Sequence, residues 1–354
     1  MCIRDSSLIG GCCGTSPTHI SAIRESIPTR ARPKKDQLQS RRITISTREP
    51  SLSLDNEIPE PSTFSTKLKE HKKVITMEVD PPRGFRASSE LSQLEQIRNA
   101  GVLDAINIAD NPRAQRRMSP LAMATLVQNR LGMETIMHLA LRHRNYASLH
   151  SDLIGAHALG IQNIFTVMGD KPQSDNYINP YTPSNLTTTG ALNLMKSFNG
   201  GLDLSGEPLE SPTAFLKGAS FNPTAEDTDR ELRLLESKLE AGADFLLTQP
   251  VYNSEAVEKI AQKFGGFPVP VLIGILPLRS ARNAEFLQNE VPGISIPPEI
   301  METISSSSNP RRTGMDISRR IVTELSDAVS GVYYMAPFRR YDSIIEFTEN
   351  LDFA

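Results

Sequence analysis

The chain has 354 residues, 38% of them hydrophobic and 22% charged, with a formal net charge of −3. That length holds one large domain or two ordinary ones, and the near-neutral charge excludes a strong field drawing nucleic acid or an anionic membrane. No apolar run reaches the ~18 residues of a membrane span. Charge interrupts the start of the chain where a signal peptide would be apolar, and three cysteines make no disulfide framework, so a reducing, cytoplasmic setting is expected.

In chain order, the first feature is the run LIGGCCGTSPTHI from Leu8 to Ile20, with Cys12 and Cys13 adjacent. From Thr29 to Lys73 the sequence turns to Ser, Thr, Pro and charge with little apolar rhythm, which reads as a flexible linker. Its basic residues (Arg30, Arg32, Lys34, Lys35, Arg41, Arg42) lack interleaved aromatics and are followed by acids, so they read as solvated rather than RNA-binding.

A regular alternation begins after Lys73. VITMEV (74–79) is a strand stopped by Pro81-Pro82. ELSQLEQIRNAG spaces Leu91, Leu94 and Ile97 as a helix closed by Gly101. DAINIA (104–109) is the second strand. The next helix takes Ser119 as N-cap, Pro120 at its first position and Gly132 as its stop. TIMHLA (135–140) precedes a helix ending at HALG, and NIFTVM (163–168) follows. The segment 171–212, rich in Asn, Ser, Thr and Pro, reads as a long lid. AFLKGA (214–219) leads to a helix expected to open on a capping box from Thr224 to Asp227. DFLLTQ (244–249), a helix near 254–263, PVLIGI (270–275), SARNAEFLQN, two helical stretches in 297–330, GVYYMA (331–336) and a helix from Arg340 complete the series.

Eight short apolar strands alternating with helices predict an α/β fold, a (β/α)8 TIM barrel. An open doubly wound sheet is the alternative; the absence of a Gly-rich dinucleotide fingerprint counts against it. In such a barrel the chemistry gathers at the C-terminal strand ends. Those ends carry Glu78, Ala109-Asp110, His138, Gly169-Asp170, Ser220, Gln249 and Arg339. Glu78 sits in an apolar strand, where desolvation raises a carboxyl's pKa and suits a general acid; pairing with Arg142 or Arg144 is the structural alternative. Asp170 follows a glycine that permits close approach of a flat ligand, or else caps a helix. His138 alone fits a satisfied core histidine as well as a ligand contact. Gln249 ends a buried strand with an amide that a heterocycle's donor and acceptor edges would satisfy.

The runs MEVDPPRG, HLALRHRN, LIGAHALGIQNIFTVMGDKP, LEAGADFLLTQPVYN and IGILPLRS, in that order, resemble the methylenetetrahydrofolate reductase family. The opening IGGCCGTSPTHI resembles the end of a homocysteine S-methyltransferase barrel. Two-domain proteins joining the two exist, and this chain resembles their C-terminal half. The resemblance implies a transferase remnant at 1–28, a linker at 29–72 and an FAD-binding barrel at 73–354. It implies reduction of 5,10-methylenetetrahydrofolate to 5-methyltetrahydrofolate, feeding methionine synthesis, with NADH or NADPH as electron donor and association into homo-oligomers. By the same resemblance Glu78 is the acid and Asp170 the aspartate near flavin and pterin. Gln249, Asn283 and Arg339 fall on folate-contacting positions, and Ala109, His138, Gly169, Asp170 and Lys238 on FAD-contacting ones.

In the transferase family paired cysteines and a third from an earlier strand hold zinc. Cys2, in a context foreign to that family, does not complete the set, so no metal site and no methyl transfer to homocysteine are expected, and residues 1–30 are expected to be frayed. The chain departs from the reductase pattern at Ala109-Asp110, where a Thr-Tyr pair is common, at Met168, at His143 and across 171–212. A catalytically weak folate- or flavin-binding barrel acting as a regulatory module, and a barrel enzyme with no flavin, are the rival readings.

Overall fold

The computed structural model describes residues 15–26, 59–170, 186–351 and 353. The cysteines Cys2, Cys12 and Cys13, most of the expected linker, and residues 171–185 lie outside these. The chain divides into two units, Met1–Ser53 and Leu54–Ala354. Of the first, Pro17–Ser26 forms helix α1 with no buried residue. That helix replaces the fraying expected for residues 15–26.

The second unit is a closed parallel barrel in which each strand pairs with its neighbours in sequence and the eighth closes on the first. The strands are β1 (Val74–Val79), β2 (Ala105–Ile108), β3 (Thr135–Ala140), β4 (Asn163–Val167), β5 (Leu216–Phe221), β6 (Phe245–Pro250), β7 (Val271–Ile275) and β8 (Gly331–Met335). Strand alternation divides the core in two. Val74, Ala105, Ile136, Phe165, Leu216, Leu247 and Leu272 fill the barrel interior. Met77, Ile106, Met137, Ile164, Ala219, Leu246, Ile273 and Val332 face the surrounding helices. The all-parallel pattern therefore buries strands on both faces, which is why they read as continuous apolar runs.

Helix α2 (Thr63–Lys69) lies within the segment first read as linker. Its Phe64 is fully buried and meets Phe245 edge-on at 5.7 Å between ring centroids, so the helix plugs the N-terminal end of the barrel. Ser62 caps it, accepting from the Ser65 N–H at 3.0 Å, and donates to Asn163 Oδ1 at 2.6 Å. Lys67 adds an ion pair to Asp104 at 2.5 Å. The linker reading failed here because a seven-residue helix with two apolar anchors is too short to show periodicity. Ser62→Ala removes a cap and leaves the Asn163 oxygen unanswered. It is expected to cost about 1–2 kcal/mol, measured as a lower urea midpoint with unchanged slope.

The outer helices are α3 (Ser88–Ala100), α4 (Pro120–Leu131), α5 (Tyr146–Ala158), α6 (Thr188–Asn199), α7 (Thr228–Glu240), α8 (Ser254–Lys263), α9 (Ala281–Glu290), α10 (Pro298–Ser306), α11 (Pro310–Glu324) and α12 (Ser343–Thr348). Of the lid expected across 171–212, the part at Thr188–Asn199 is instead helix α6. It buries Ala191, Leu192, Leu194, Met195 and Phe198 against the barrel, the ordinary crossover between β4 and β5. The cap of α7 is Asp227, which accepts from the Arg230 N–H, while Thr224 bonds the Asn222 side chain instead. Ser119 precedes α4 as expected but makes no side-chain cap bond. No described helix is long and apolar enough to cross a membrane.

Candidate active site

The C-terminal strand ends surround a cavity of about 640 Å³, within the range of small-molecule sites. Its lining brings together Glu78, Ala109, His138, Gly169, Asp170, Gln249, Asn283 and Arg339. Of the residues expected there, Lys238 alone is absent from the lining. It sits on α7 with its ammonium donating to the Ser220 carbonyl at 2.6 Å and 4.0 Å from Glu231. A buried lysine one helix away from the strand ends satisfies the backbone at the end of β5 and does not reach the cavity.

Glu78 faces the interior near the top of β1, beside Asn107 on β2 and Met335 on β8 in the strand register. Its Oε2 accepts a hydrogen bond from the Tyr333 hydroxyl. Arg144 is committed elsewhere, so that structural alternative for Glu78 is not the arrangement found; the Arg142 Nε donates to the Gly169 carbonyl at 3.0 Å. Burial, followed by the carboxylates of Asp80 and Asp170, pushes the Glu78 carboxyl up to about 8. Near neutral pH it therefore holds its proton, the state a general acid needs.

His138 is buried, with its ring 4.7 Å from that of Phe165 and its Nε2 3.2 Å from Asn107 Oδ1. Burial pulls it down to about 3, so it is a neutral imidazole. The Asn107 Nδ2 is buried with no hydrogen-bond partner among the described residues.

Asp170 ends the described stretch after β4. Its Oδ2 accepts the Arg113 backbone N–H at 2.6 Å, joining the turn after β4 to the turn after β2. Gly169, at φ +81°, makes that turn possible, and a Cβ there would come within 2.8 Å of the Ala140 Cβ.

Asp110, one of the departures noted above, is a structural tie. Its buried carboxylate accepts from the Ala140 N–H at 2.9 Å and pairs with Arg144, which also reaches Asp152 at 2.9 Å. A second tie runs from Asp80 to the buried Arg117 at 3.2 Å. Arg339 bonds Glu90 at 2.6 Å and lies 4.0 Å from Asp80. Among described non-glycine residues, positive φ occurs at His71 and otherwise only in the two rim turns, at Asn111, Arg113, Ala114, Phe338 and Arg339. Such strain is held in place by the ties on either side and is common where a site is shaped.

Sequence reasoning missed Tyr333 and Asn107. Both were reachable by alternation, since inward positions two apart on β8 and β2 carry them. Choosing between Tyr333 and Tyr334 needed the register, which a single strand does not give.

The arrangement can hold a flat heterocycle. Phe165 and Leu247 give apolar surface, His138 and Gln249 give neutral polar edges, and Glu78 gives a proton. Among described residues no cluster of His, Cys, Asp and Glu is suited to a metal ion.

The model of the methylenetetrahydrofolate reductase family matches residues 63–351. Methylenetetrahydrofolate reductase 2 of Saccharomyces cerevisiae is 24% identical over 297 residues, which cover 80% of this chain and 48% of that protein. The probable methylenetetrahydrofolate reductase (NADH) of Oryza sativa subsp. japonica is 25% identical over 181 residues, covering 49% of this chain and 30% of that one. The chain thus spans about half the length, or less, of these curated relatives. Among solved structures, an uncharacterised Clostridium thermocellum protein that binds two copies of 5-methyl-5,6,7,8-tetrahydrofolic acid aligns with a TM-score of 0.55 at 16% identity, covering 81% of this chain and 96% of that one. At that identity the likeness is one of fold.

Proposed function

The chain belongs to the methylenetetrahydrofolate reductase family, and from that premise we propose that its barrel carries out the FAD-dependent reduction of 5,10-methylenetetrahydrofolate to 5-methyltetrahydrofolate. The observation that carries the proposal is Glu78, a carboxyl held protonated near neutral pH at the end of β1, in one cavity with Asp170 and Gln249.

Bound FAD would supply the hydride, drawn from NADH or NADPH. The isoalloxazine ring suits the apolar surface and neutral edges of the cavity. For the diphosphate, Lys238 does not fit, and the lining offers two cations, Arg113 and Arg339. Arg339 already answers Glu90, which leaves Arg113, at the turn that holds Asp170, as the candidate.

The residues themselves do three things. Gln249 offers an amide donor and acceptor to the pterin edge and so fixes its orientation. Glu78 gives its proton to the nitrogen that leaves the methylene bridge, so that bond breaks and the carbon becomes an electrophilic iminium. Asp170 places a carboxylate near that cation and stabilises it. Tyr333, donating to Glu78, fixes which carboxyl oxygen carries the transferable proton. The same proposal assigns the opening Gly-Gly-Cys-Cys run to the end of a homocysteine S-methyltransferase barrel, supported by that motif alone.

Two observations favour a second reading, a barrel that binds folate without reducing it. Lys238 is withdrawn from the cavity, and the protein from Clostridium thermocellum binds 5-methyltetrahydrofolic acid. Purification without added cofactor separates the two. The reductase reading expects a yellow protein with visible flavin bands that bleach anaerobically with NADH or NADPH and return on adding 5,10-methylenetetrahydrofolate. A colourless protein that takes up no FAD yet binds 5-methyltetrahydrofolate supports the second reading and overturns the first.

A further inference from the structure

Among the described residues, the pairing of β6 with β7 is the one strand pairing of the barrel that slips register. Leu247 pairs with Leu272, but Pro250 pairs with Gly274. Thr248 and Gln249 therefore stand opposite Ile273 alone, a β-bulge that carries one extra residue. The bulge sits at the rim, where Leu247, Thr248, Gln249 and Pro250 all line the cavity. Proline, with no N–H to give, is found inside sheets at such breaks.

One hydroxyl stitches the bulge together. Thr248 is buried, and its Oγ1 accepts from the Gly274 N–H at 2.8 Å and donates to the Gln249 carbonyl at 2.7 Å. It stands in for a backbone acceptor that the extra residue displaces, and it fixes the peptide that leaves Gln249. Beyond it the ladder resumes, with the Val251 N–H donating to the Gly274 carbonyl at 2.9 Å. Gly274 closes the bulge from the facing strand. A Cβ there would fall 2.6 Å from the Thr248 carbonyl oxygen and 2.8 Å from that of Gln249.

The Gln249 side chain, by contrast, is exposed between two buried neighbours and has no hydrogen-bond partner among the described residues. No neighbouring side chain holds its amide, so the backbone of the bulge decides where the amide can reach. Bulges beside active sites re-aim a side chain.

We propose that Thr248 is a positioning residue, whose hydroxyl locks the β6 bulge so that the Gln249 amide meets the pterin edge of a folate. This rests on the folate reading given above and on the part Gln249 takes in it. A bulge that serves only the closure of the barrel is the competing account.

The test titrates 5-methyltetrahydrofolate onto the full chain, supplied with FAD, in a double-mutant cycle with Gln249→Ala. Thr248→Val keeps the shape of the side chain and removes the hydroxyl. It is expected to weaken folate binding about tenfold, the worth of one well-made hydrogen bond. Thr248→Ser keeps the hydroxyl and should bind like the unaltered chain. In the Gln249→Ala background, Thr248→Val should cost nothing more, which a purely structural role would not give. Thr248→Ala runs the same cycle should the valine chain not fold. Equal losses in both backgrounds overturn the assignment, and so does a serine variant as weak as the valine one. A Thr248→Val chain that binds as tightly as the unaltered one, while Gln249→Ala binds weakly, also overturns it and leaves the role of Gln249 standing. If Gln249→Ala changes nothing, that role fails and takes this proposal with it. If the unaltered chain binds no 5-methyltetrahydrofolate, the folate reading itself fails.

Discussion

Glu78→Gln is expected to lower turnover of 5,10-methylenetetrahydrofolate by roughly 10²- to 10⁴-fold, the usual contribution of a positioned acid, with flavin and folate still bound. Glutamine keeps the size of the protonated carboxyl and can still accept from Tyr333, so the cavity should hold its shape. What it cannot do is give up a proton to the departing nitrogen. The loss should therefore fall on kcat in the half-reaction with folate, while reduction by NADH or NADPH, which needs no such proton, stays close to normal. Full turnover in the variant would remove Glu78 from the chemistry and return it to the role of a buried structural carboxyl. The pH profile offers a second check. Activity should fall as pH rises past about 8, where Glu78 loses its proton.

The barrel was legible because its signal is repeated. Each strand is a short apolar run and each crossover an amphipathic helix, so a boundary error of a residue or two, as at β2 and β5, leaves the topology intact. The misses came from elements with little repetition. Helix α2 has only Phe64 and Leu68 as buried large anchors, and α6 was hidden by the polar stretch that precedes it.

For the site, position at a strand end was enough to bring Glu78, His138, Asp170 and Gln249 to one cavity, since the fold dictates where strand ends meet. It was not enough for Lys238, which projects from a helix, where reach depends on the rotamer and on whichever carbonyl is nearest. Nor could sequence show that Asp110 is consumed by Arg144 and the Ala140 N–H. Such pairings cross between turns that have no fixed spacing in the chain.

The stability of the barrel should fall with rising pH in a way that one substitution removes. The Glu78 carboxyl is raised from 4.5 to about 8, because the folded barrel buries it near Asp80 and Asp170. Below about pH 4.5 both folded and unfolded chains hold the proton, and the group is neutral in each. Between there and about pH 8 the unfolded chain releases its proton while the folded one keeps it, so the folded state loses ground steadily. Above about pH 8 the folded chain must carry a buried carboxylate, and the loss levels off. The whole effect is on the order of several kcal/mol. Glu78→Gln cannot titrate, so its advantage over the unaltered chain should be small near pH 5 and grow to several kcal/mol above pH 8 in urea unfolding. Because the comparison is between two chains at each pH, changes in other titrating groups largely cancel. A difference that stays constant across that window would mean the carboxyl titrates at its ordinary value. The proton assigned to Glu78 near neutral pH would then be absent, and the acid step with it.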